Sequence, residues 1–246
     1  MSPPAGATPC LPVFHGSTAE RHLRAVENFD ALAGTPWTEG LHALCWLREL
    51  RGDFGEIVER LEPGPGITPV EPGRLRKLAL SEAGQMARAQ ILEDWERLES
   101  LGLQPSLDTI LGYDHEVEAP HLRTDVQSFH VDSATAPADT WLCTYHGASS
   151  EGLRHEDAIR RIDVPEMRAK LLEEHGGPDD AAFDQFLREH YLDLHYLPLP
   201  GARPYSFGRG HLWRIPCQYD GCPVPPCVHR APDTVPGTGA RLLMIC

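Results

Sequence analysis

Positive charge is scarce in this sequence of 246 residues. Only two lysines, Lys77 and Lys170, stand among the 22 basic residues, which face 36 acidic ones, and the formal net charge is −14. Such a chain repels a phosphate backbone, so we expect no nucleic-acid binding. The sequence also lacks an apolar run of the ~20 residues that a membrane span needs. Its N-terminus lacks the basic region and apolar core of a signal peptide. These absences predict a cytoplasmic protein without membrane contact.

The cysteine count excludes another class of protein. Seven cysteines, an odd number spread unevenly, argue against a secreted disulfide framework and for reduced thiols. Three of them, Cys217, Cys222 and Cys227, could in principle form a Cys3His zinc site with His229. That spacing is loose for zinc, and prolines stiffen the loop, so reduced cysteines on a hairpin are the favoured interpretation. The role of these three thiols stays open at this point.

Two short motifs carry the candidate chemistry. The first is F-H-V-D at residues 129–132, which follows an extended-looking run and precedes a predicted strand at residues 140–146. Side chains two apart in a strand lie on one face, so His130 and Asp132 can share a cation. The second motif is H-R-A-P, in which His229 would be the third ligand. Two histidines and a carboxylate on one side of a metal form the facial triad of non-haem Fe(II) oxygenases.

Each candidate residue also has an ordinary structural interpretation. His130 could be a hydrogen-bonded core histidine and Asp132 a turn-capping residue. Arg241, which begins the last apolar run of the sequence and is a further candidate, could be half of a surface ion pair. For any one residue alone that interpretation is favoured, so the metal hypothesis rests on their joint occurrence in order. Three further histidines are interpreted as structural or exposed: His146, His195 and His211.

The combined motifs resemble a known superfamily. F-H-V-D, followed by T-Y-x-G at residues 144–147, H-R-x-P at residues 229–232 and R-L-L at residues 241–243, is similar to the Fe(II)/2-oxoglutarate-dependent dioxygenases. More narrowly, the motifs look like an uncharacterised bacterial domain-of-unknown-function family thought to share that fold. The resemblance covers about residues 125–246 and names no substrate. It implies a double-stranded β-helix, also called a jelly-roll or cupin-like fold.

The resemblance also implies roles for individual residues. Fe(II) would be held by the facial triad, and 2-oxoglutarate would chelate it while its far carboxylate meets Arg241, because a guanidinium is a bidentate, permanently charged clamp. Arg230 is the weaker candidate because it should point outward. Thr144 and Tyr145 lie where the family often contacts the cosubstrate, although strand alternation lets only one face the pocket. Oxidative decarboxylation of 2-oxoglutarate would accompany oxidation of a small molecule or of an amino-acid or peptide side chain.

Two other classes of function stay open. A cupin-like metalloenzyme that uses iron without 2-oxoglutarate would have no need for Arg241. A non-catalytic zinc-binding protein on the same fold would use the cysteine cluster instead. Oligomeric state is not indicated by the sequence.

We expect one α+β domain spanning residues 1–246. Residues 1–20 are rich in proline, glycine and threonine and predict a loosely attached arm. Residues 21–106 should provide mainly helical support. Residues 107–246 should form the double-stranded β-helix core, with a helical insertion at about residues 156–197 that serves as a lid or substrate wall.

Local patterns predict the helices of this domain. Asp53 has the spacing of a capping box and should begin a short helix. Residues 81–101 carry an apolar stripe at helical spacing and end before a glycine. In the insertion, one helix should run from Pro165 to Gly176, and a second should run from residue 179 until Pro198 ends it.

Alternating or continuous apolar runs predict the strands. Residues 107–117, 140–146, 205–215 and 241–246 are the candidates. Residues 41–47 form a compact apolar run that periodicity alone cannot assign to strand or helix.

Overall fold

The computed structural model of this protein describes residues 22–113, 123–233, 237 and 239–246. Within these ranges it is an α+β structure with a large, mostly antiparallel sheet and several helices. The predicted arm at residues 1–20 lies outside the described residues. No helix in the described ranges is both long and apolar enough to cross a membrane.

Strands and α-helices alternate irregularly along the described chain. The strands are β1 (Leu23–Val26), β2 (Ala43–Trp46), β3 (Ile67–Pro69), β4 (Ser106–Ile110), β5 (Asp139–His146), β6 (Glu151–Leu153), β7 (Ala158–Arg160), β8 (Tyr196–Pro198), β9 (Tyr205–Ser206), β10 (Leu212–Pro216), β11 (Val228–Arg230) and β12 (Arg241–Ile245). The α-helices are α1 (Phe29–Gly34), α2 (Phe54–Leu61), α3 (Pro72–Arg76), α4 (Glu82–Ser100), α5 (Pro165–His175) and α6 (Ala181–Glu189).

The strands form one large sheet and two smaller ones. The large sheet has the order β1-β2-β10-β5-β12-β4-β3, and all its pairs are antiparallel except β1 with β2. A second sheet has the order β11-β6-β9, and β7 pairs with β8 alone. Residues 129–131 lie beside β11, because His130 and His229 donate their backbone N–H groups to each other's carbonyl oxygen at 2.9 Å.

The large sheet lies between two apolar layers, and the side chains of strand β5 contact both of them. Its side chains alternate, so that Cys143 and Tyr145 face the core formed with α2, α3 and α4. Leu142 faces the opposite core, which also contains Phe207 and Cys227 from the segments around the second sheet. This period of two is what a strand buried on both faces requires. The same alternation decides which motif side chains can reach the space between the sheets.

The helix signals in the sequence are mostly confirmed. The Asp53 carboxylate accepts a hydrogen bond from the backbone N–H of Glu56 and caps α2. Ser81 caps α4 in the same way. Helix α5 begins at Pro165 and ends before Gly176, whose left-handed backbone (φ +72°) is the usual glycine stop.

The second helix of the insertion is shorter than predicted. Asp180 caps α6 as expected, but the helix ends at Glu189 rather than near Pro198. Tyr191 adopts a left-handed backbone with φ +58° and turns the chain. The following segment then runs back beside residues 129–131, where Leu194 accepts a backbone hydrogen bond from Val131. That tertiary pairing overrides the helical periodicity.

The ambiguous apolar run at residues 41–47 contains a strand, β2. Three other strand predictions need correction. The strand predicted at 107–117 stops at Ile110, two residues before Gly112 (φ +129°), and residues 114–117 lie outside the described ranges. The run at 205–215 is two strands in different sheets, because Gly208 and Gly210 have positive φ angles and turn the chain between them. The extended-looking run at residues 125–129 instead contains a turn at residues 125–128, in which the backbone N–H of residue 128 donates to the carbonyl of residue 125.

The prediction that residues 21–106 are mainly helical is also incomplete. This region contains α1 to α4, but it also supplies β1, β2 and β3 to the two ends of the large sheet. Its strands are short, at three or four residues each, and short apolar runs carry little periodicity.

Candidate metal centre

His130, Asp132 and His229 come together between the two sheets. One ligand atom from each lies within 4.8 Å of the others, and among the described residues this is the group of histidine, cysteine and acidic side chains that could hold a metal ion. The Nε2 atoms of the two histidines each lie 3.6 Å from an oxygen of Asp132. The two imidazole ring centres are 4.6 Å apart. The three predicted ligands are thus brought together as the sequence motifs indicated.

Backbone carbonyls orient both imidazoles. His130 donates from Nδ1 to the carbonyl oxygen of Ser128 at 2.8 Å, and His229 donates from Nδ1 to that of Cys227 at 3.1 Å. A carbonyl only accepts, so the proton sits on Nδ1 and the lone pair sits on Nε2. Metal-binding histidines commonly use this second hydrogen bond to fix their tautomer and ring orientation. The two lone pairs therefore point toward Asp132, where a shared cation would lie.

Strand β5 holds the carboxylate in place. Thr140 donates its hydroxyl hydrogen to one oxygen of Asp132, and the same hydroxyl lies 3.4 Å from the thiol of Cys217. Burial raises the pKa of Asp132, but the neighbouring His229 and His130 outweigh it and hold the pKa well below its usual range. Asp132 is therefore ionised at neutral pH, as a metal ligand must be.

The two histidines differ in their affinity for a proton. Burial lowers the pKa of His130, but the hydrogen bond and charge of Asp132 outweigh this and the net shift is upward. For His229, burial dominates and the pKa is lowered despite Asp132. His229 is thus a neutral ligand over a wide pH range, whereas His130 takes up a proton at higher pH than an ordinary histidine.

This difference predicts the pH dependence of metal binding. A cation must displace the proton of His130, so the apparent metal affinity should fall as pH drops through the raised pKa of His130. The fall should begin at a higher pH than for a histidine of ordinary pKa. Anaerobic Fe(II) titrations at a series of pH values measure it, and an affinity that stayed constant from weakly basic to weakly acidic pH would contradict the role of His130.

Arg241 is a buried cation surrounded by neutral groups. It is 5% exposed, and its guanidinium donates to the hydroxyls of Tyr113 at 3.1 Å, Thr144 at 3.0 Å and Ser150 at 2.7 Å. Its Nε has no hydrogen-bond partner among the described residues. No acidic side chain in the described part of the chain pairs with it, and burial lowers its pKa. A buried charge without a counter-charge is costly unless a ligand supplies one.

Arg241 interacts electrostatically with one of the candidate ligands, His229. Its positive charge is one of the causes that lower the pKa of His229. The backbone of Gly147 packs closely against that of Arg241, because its φ is +80° and a Cβ there would lie 2.9 Å from the Cα of Arg241. The glycine of the T-Y-x-G motif thus lets the end of β5 pass close to the start of β12.

Strand alternation separates Thr144 from Tyr145. Thr144 faces Arg241, whereas Tyr145 points into the helical layer and donates to Asp94 at 2.7 Å. Asp94 is completely buried and pairs with Arg48. The prediction of Tyr145 as a cosubstrate contact is therefore corrected: its position after Thr144 puts it on the opposite face of the sheet.

A pair of conservative substitutions tests this separation. Thr144→Val should weaken the binding of a carboxylate to Arg241 roughly tenfold, because the substitution removes one hydroxyl that positions the guanidinium of Arg241. Tyr145→Phe should leave that affinity unchanged and instead lower the free energy of unfolding by about 1 kcal/mol through the lost bond to Asp94. Ligand titration and urea denaturation of both variants measure the two effects, and the opposite pattern would reverse the assignment.

Several residues around the centre could not be found from sequence. His195 is 4% exposed, its ring stacks 5.7 Å from that of His130, and its Nδ1 lies 2.6 Å from the hydroxyl of Ser128. The sequence gives no reason to separate it from the other structural or exposed histidines. Ser150 and Tyr113 approach Arg241 from loops, and no residue pattern in those loops indicates such a role.

The predictions about Arg230 and about the three cysteines have different outcomes. Arg230 points outward as expected, since it pairs with Glu151 at 2.7 Å and lies over the ring of Phe129. The three cysteines do not converge with His229: Cys222 lies 3.0 Å from the carbonyl of Val224, and Cys227 lies near Tyr205. The described residues thus contain no Cys3His group with zinc spacing.

The chain matches no protein-family model, no curated protein and no solved structure.

Proposed function

We propose that this protein is an Fe(II)- and 2-oxoglutarate-dependent oxygenase that oxidises a C–H bond of a small molecule or of an amino-acid side chain. One observation carries the proposal: a histidine, aspartate and histidine centre lies near a buried arginine that has only hydroxyl partners among the described residues. Either half alone is compatible with other functions. Together they offer a position for a metal ion and a binding site for an anionic ligand that is long enough to reach the metal from Arg241.

The strand order supports a double-stranded β-helix for this site. From β4 onward, the chain crosses repeatedly between two sheets: β4, β5, β10 and β12 belong to the large sheet, whereas residues 129–131, β6, β9 and β11 lie on the second side. The exception is β6 and β9, which are neighbours in the second sheet and are separated in sequence by the β7–β8 pair and the insertion helices. Chain alternation between two facing sheets is the arrangement of a jelly-roll. In this arrangement β11 and residues 129–131 are neighbours, which is why His229 can join His130.

The donor set suits Fe(II). Two imidazoles and one carboxylate on one side of a cation leave the remaining positions for a cosubstrate and oxygen, as in the facial triad. When bound, Fe(II) and 2-oxoglutarate would supply the oxidising chemistry through decarboxylation. His130, Asp132 and His229 would hold the metal, and their orienting bonds would keep the ligand lone pairs aligned.

Arg241 would bind the far carboxylate of 2-oxoglutarate. The guanidinium is buried and permanently charged, so a carboxylate would gain a charge-assisted, two-pronged contact in a place with little water. The hydroxyls of Thr144 and Ser150 would fix the plane of the guanidinium and offer further hydrogen bonds. The net charge of −14 continues to disfavour a nucleic-acid substrate.

Anaerobic absorption spectroscopy tests the proposal. Adding 2-oxoglutarate to the Fe(II) protein without oxygen should produce a weak visible charge-transfer band, because the keto acid chelates the metal. Succinate is the matched control: it has the same far carboxylate but lacks the keto group, so it should compete for Arg241 without producing the band.

The other outcomes of this experiment identify the alternatives. Fe(II) binding without any band at saturating 2-oxoglutarate would favour a cupin-like metalloenzyme that does not use this cosubstrate. Tightly held zinc with thiol ligation would favour a non-catalytic metal-binding protein. Either result would overturn the proposal.

A further inference from the structure

A second buried arginine lies on the same face of the structure as the two candidate histidine ligands. Arg161 directly follows β7 and continues the β7–β8 register, so that it lies opposite His195, and its backbone N–H donates to the carbonyl of His195 at 2.9 Å. His195 lies opposite His130, and His130 lies opposite His229. Directly opposed residues in neighbouring strands share a face. The four side chains therefore form a row, in the order Arg161, His195, His130 and His229.

The contacts along this row agree with the register. The ring centre of His130 lies 5.7 Å from that of His195 and 4.6 Å from that of His229. Burial, the neighbouring His130 and the charge of Arg161 together lower the pKa of His195 to about 3. Neighbouring strands lie about 4.8 Å apart, so Arg161 is two strand spacings, or about 10 Å, from His130. A small molecule bound at Arg161 could therefore reach the candidate metal centre.

The guanidinium of Arg161 is not satisfied by the protein. Arg161 is 7% exposed, and its Nη1 donates to the carbonyl of Arg123 at 2.5 Å. Its buried Nε has no hydrogen-bond partner among the described residues, and no carboxylate in those residues forms an ion pair with it. Buried polar side-chain atoms nearly always have a partner, so this exception calls for an explanation such as a bound ion.

The nearby charges leave Arg161 without full compensation. Asp125 attracts it, but the carboxylate of Asp125 accepts hydrogen bonds from the guanidinium of Arg123 and from the backbone N–H groups of residues 127 and 128. Burial lowers the pKa of Arg161 despite Asp125, and the positive charge of Arg123 acts in the same direction. A buried charge in this position is costly unless a ligand of opposite charge binds it.

We propose that Arg161 binds the carboxylate of the substrate, and that the substrate is a free organic acid or a free amino acid rather than a residue within a polypeptide. The carbonyl of Arg123 occupies Nη1, which leaves the edge of the guanidinium that carries Nε and Nη2. Two parallel N–H groups on one edge match the two oxygens of a carboxylate. A residue within a polypeptide has no main-chain carboxylate to place there.

The two buried arginines would each bind a different acid. Arg241 begins β12 in the large sheet, whereas Arg161 lies beside His195 at the end of the row. If Arg241 binds the far carboxylate of 2-oxoglutarate, Arg161 is left for a second acid, whose oxidised carbon lies several bonds from its carboxylate. That this second acid is a substrate rests on the proposed function, whereas its binding to Arg161 does not.

Titration calorimetry with hexanoate tests this site in the full chain carrying Arg241→Ala. That substitution removes the other buried guanidinium, and the titration uses neither Fe(II) nor 2-oxoglutarate. We expect hexanoate to bind, and the uncharged hexanamide to bind roughly tenfold more weakly because it lacks the charge-assisted contact. Adding Arg161→Met should weaken hexanoate about 30-fold or more, as is common when one member of a buried charge pair is truncated.

Arg160→Met in the same background is the matched control. Arg160 precedes Arg161 directly but pairs with Asp163 at 2.8 Å on the surface, so its removal should leave hexanoate affinity unchanged. Thermal denaturation checks the fold, and hexanoate should raise the Tm of each chain that binds it. If Arg161→Met does not fold, Arg161→Lys replaces it, and it should still bind hexanoate more weakly because an ammonium lacks the two-pronged geometry.

Two results would overturn the carboxylate site. One is that the Arg241→Ala chain binds no hexanoate. The other is that the folded Arg161 variant binds hexanoate as tightly as the Arg160→Met control. Failure of the oxygenase proposal looks different: 2-oxoglutarate would then give no visible band with the Fe(II) protein, while hexanoate binding that depends on Arg161 would persist.

Discussion

Asp132→Ala and His130→Ala should each lose Fe(II) binding while retaining the fold. Asp132 is the acidic member of the centre and lies 3.6 Å from both imidazole Nε2 atoms, so its removal leaves two neutral ligands. Loss of a residue that merely orients a ligand commonly costs roughly 10- to 100-fold in metal affinity. Loss of a ligand itself should exceed that range.

The fold should survive because neither substitution opens an apolar cavity. Asp132 and His130 have side chains that are 30% and 14% exposed, and their contacts are polar. Without Asp132, His130 loses the partner that raises its pKa, and the pKa of His229 is already lowered by burial, so no buried charge is stranded. Anaerobic Fe(II) titration measures the affinity, and thermal denaturation checks the fold.

Two exposed residues provide matched controls for these variants. His190→Ala and Asp184→Ala remove the same chemical groups from the surface of the insertion, and they should bind Fe(II) like the parent. If Asp132→Ala and His130→Ala both matched the controls, the metal centre would have to lie elsewhere.

Arg241→Ala should keep the metal but weaken 2-oxoglutarate by about 30-fold to several thousand-fold. The guanidinium is not a metal ligand, whereas the far carboxylate of the cosubstrate would lose its partner in a buried place. Truncating one member of a buried charge pair commonly costs ~2 to 5 kcal/mol. Arg241→Lys should recover only part of the affinity, because an ammonium retains the charge but not the two-pronged geometry.

Arg230→Ala is the matched control for this prediction. Arg230 follows the ligand His229 directly in sequence, but it pairs with Glu151 on the outer side. Its removal should leave 2-oxoglutarate affinity unchanged. Titration of 2-oxoglutarate into the Fe(II) proteins without oxygen compares all four chains. Equal affinity in Arg241→Ala and in the parent would remove Arg241 from the cosubstrate site.

The sequence could predict the parts of the centre that depend on local geometry. The spacing of His130 and Asp132 puts both on one face of an extended segment, and the structure brings them together with His229. The start of α2 and the end of α5 were also predicted, because Asp53 and Gly176 act through neighbouring backbone groups.

Features that depend on distant contacts could not be predicted. The periodicity of α4 identifies a buried stripe, but it does not reveal that Asp94 on that helix is buried against Arg48. His195 looks like any other histidine until the chain after Tyr191 turns back beside residues 129–131. Partners supplied by another segment set the role of each such residue, and the local sequence does not specify those partners.

The mutual backbone hydrogen bonds of His130 and His229 have a consequence for assembly of the protein. These residues are 99 positions apart (229 − 130), so joining them closes a long loop that contains both insertion helices. The entropic cost of such closure rises only slowly with loop length, so the insertion can lengthen or shorten with little penalty. Two of the metal ligands, however, meet only after this closure. The candidate metal site is therefore complete only after a long-range contact has formed, and a nascent chain would lack its third candidate ligand until residue 229 has emerged.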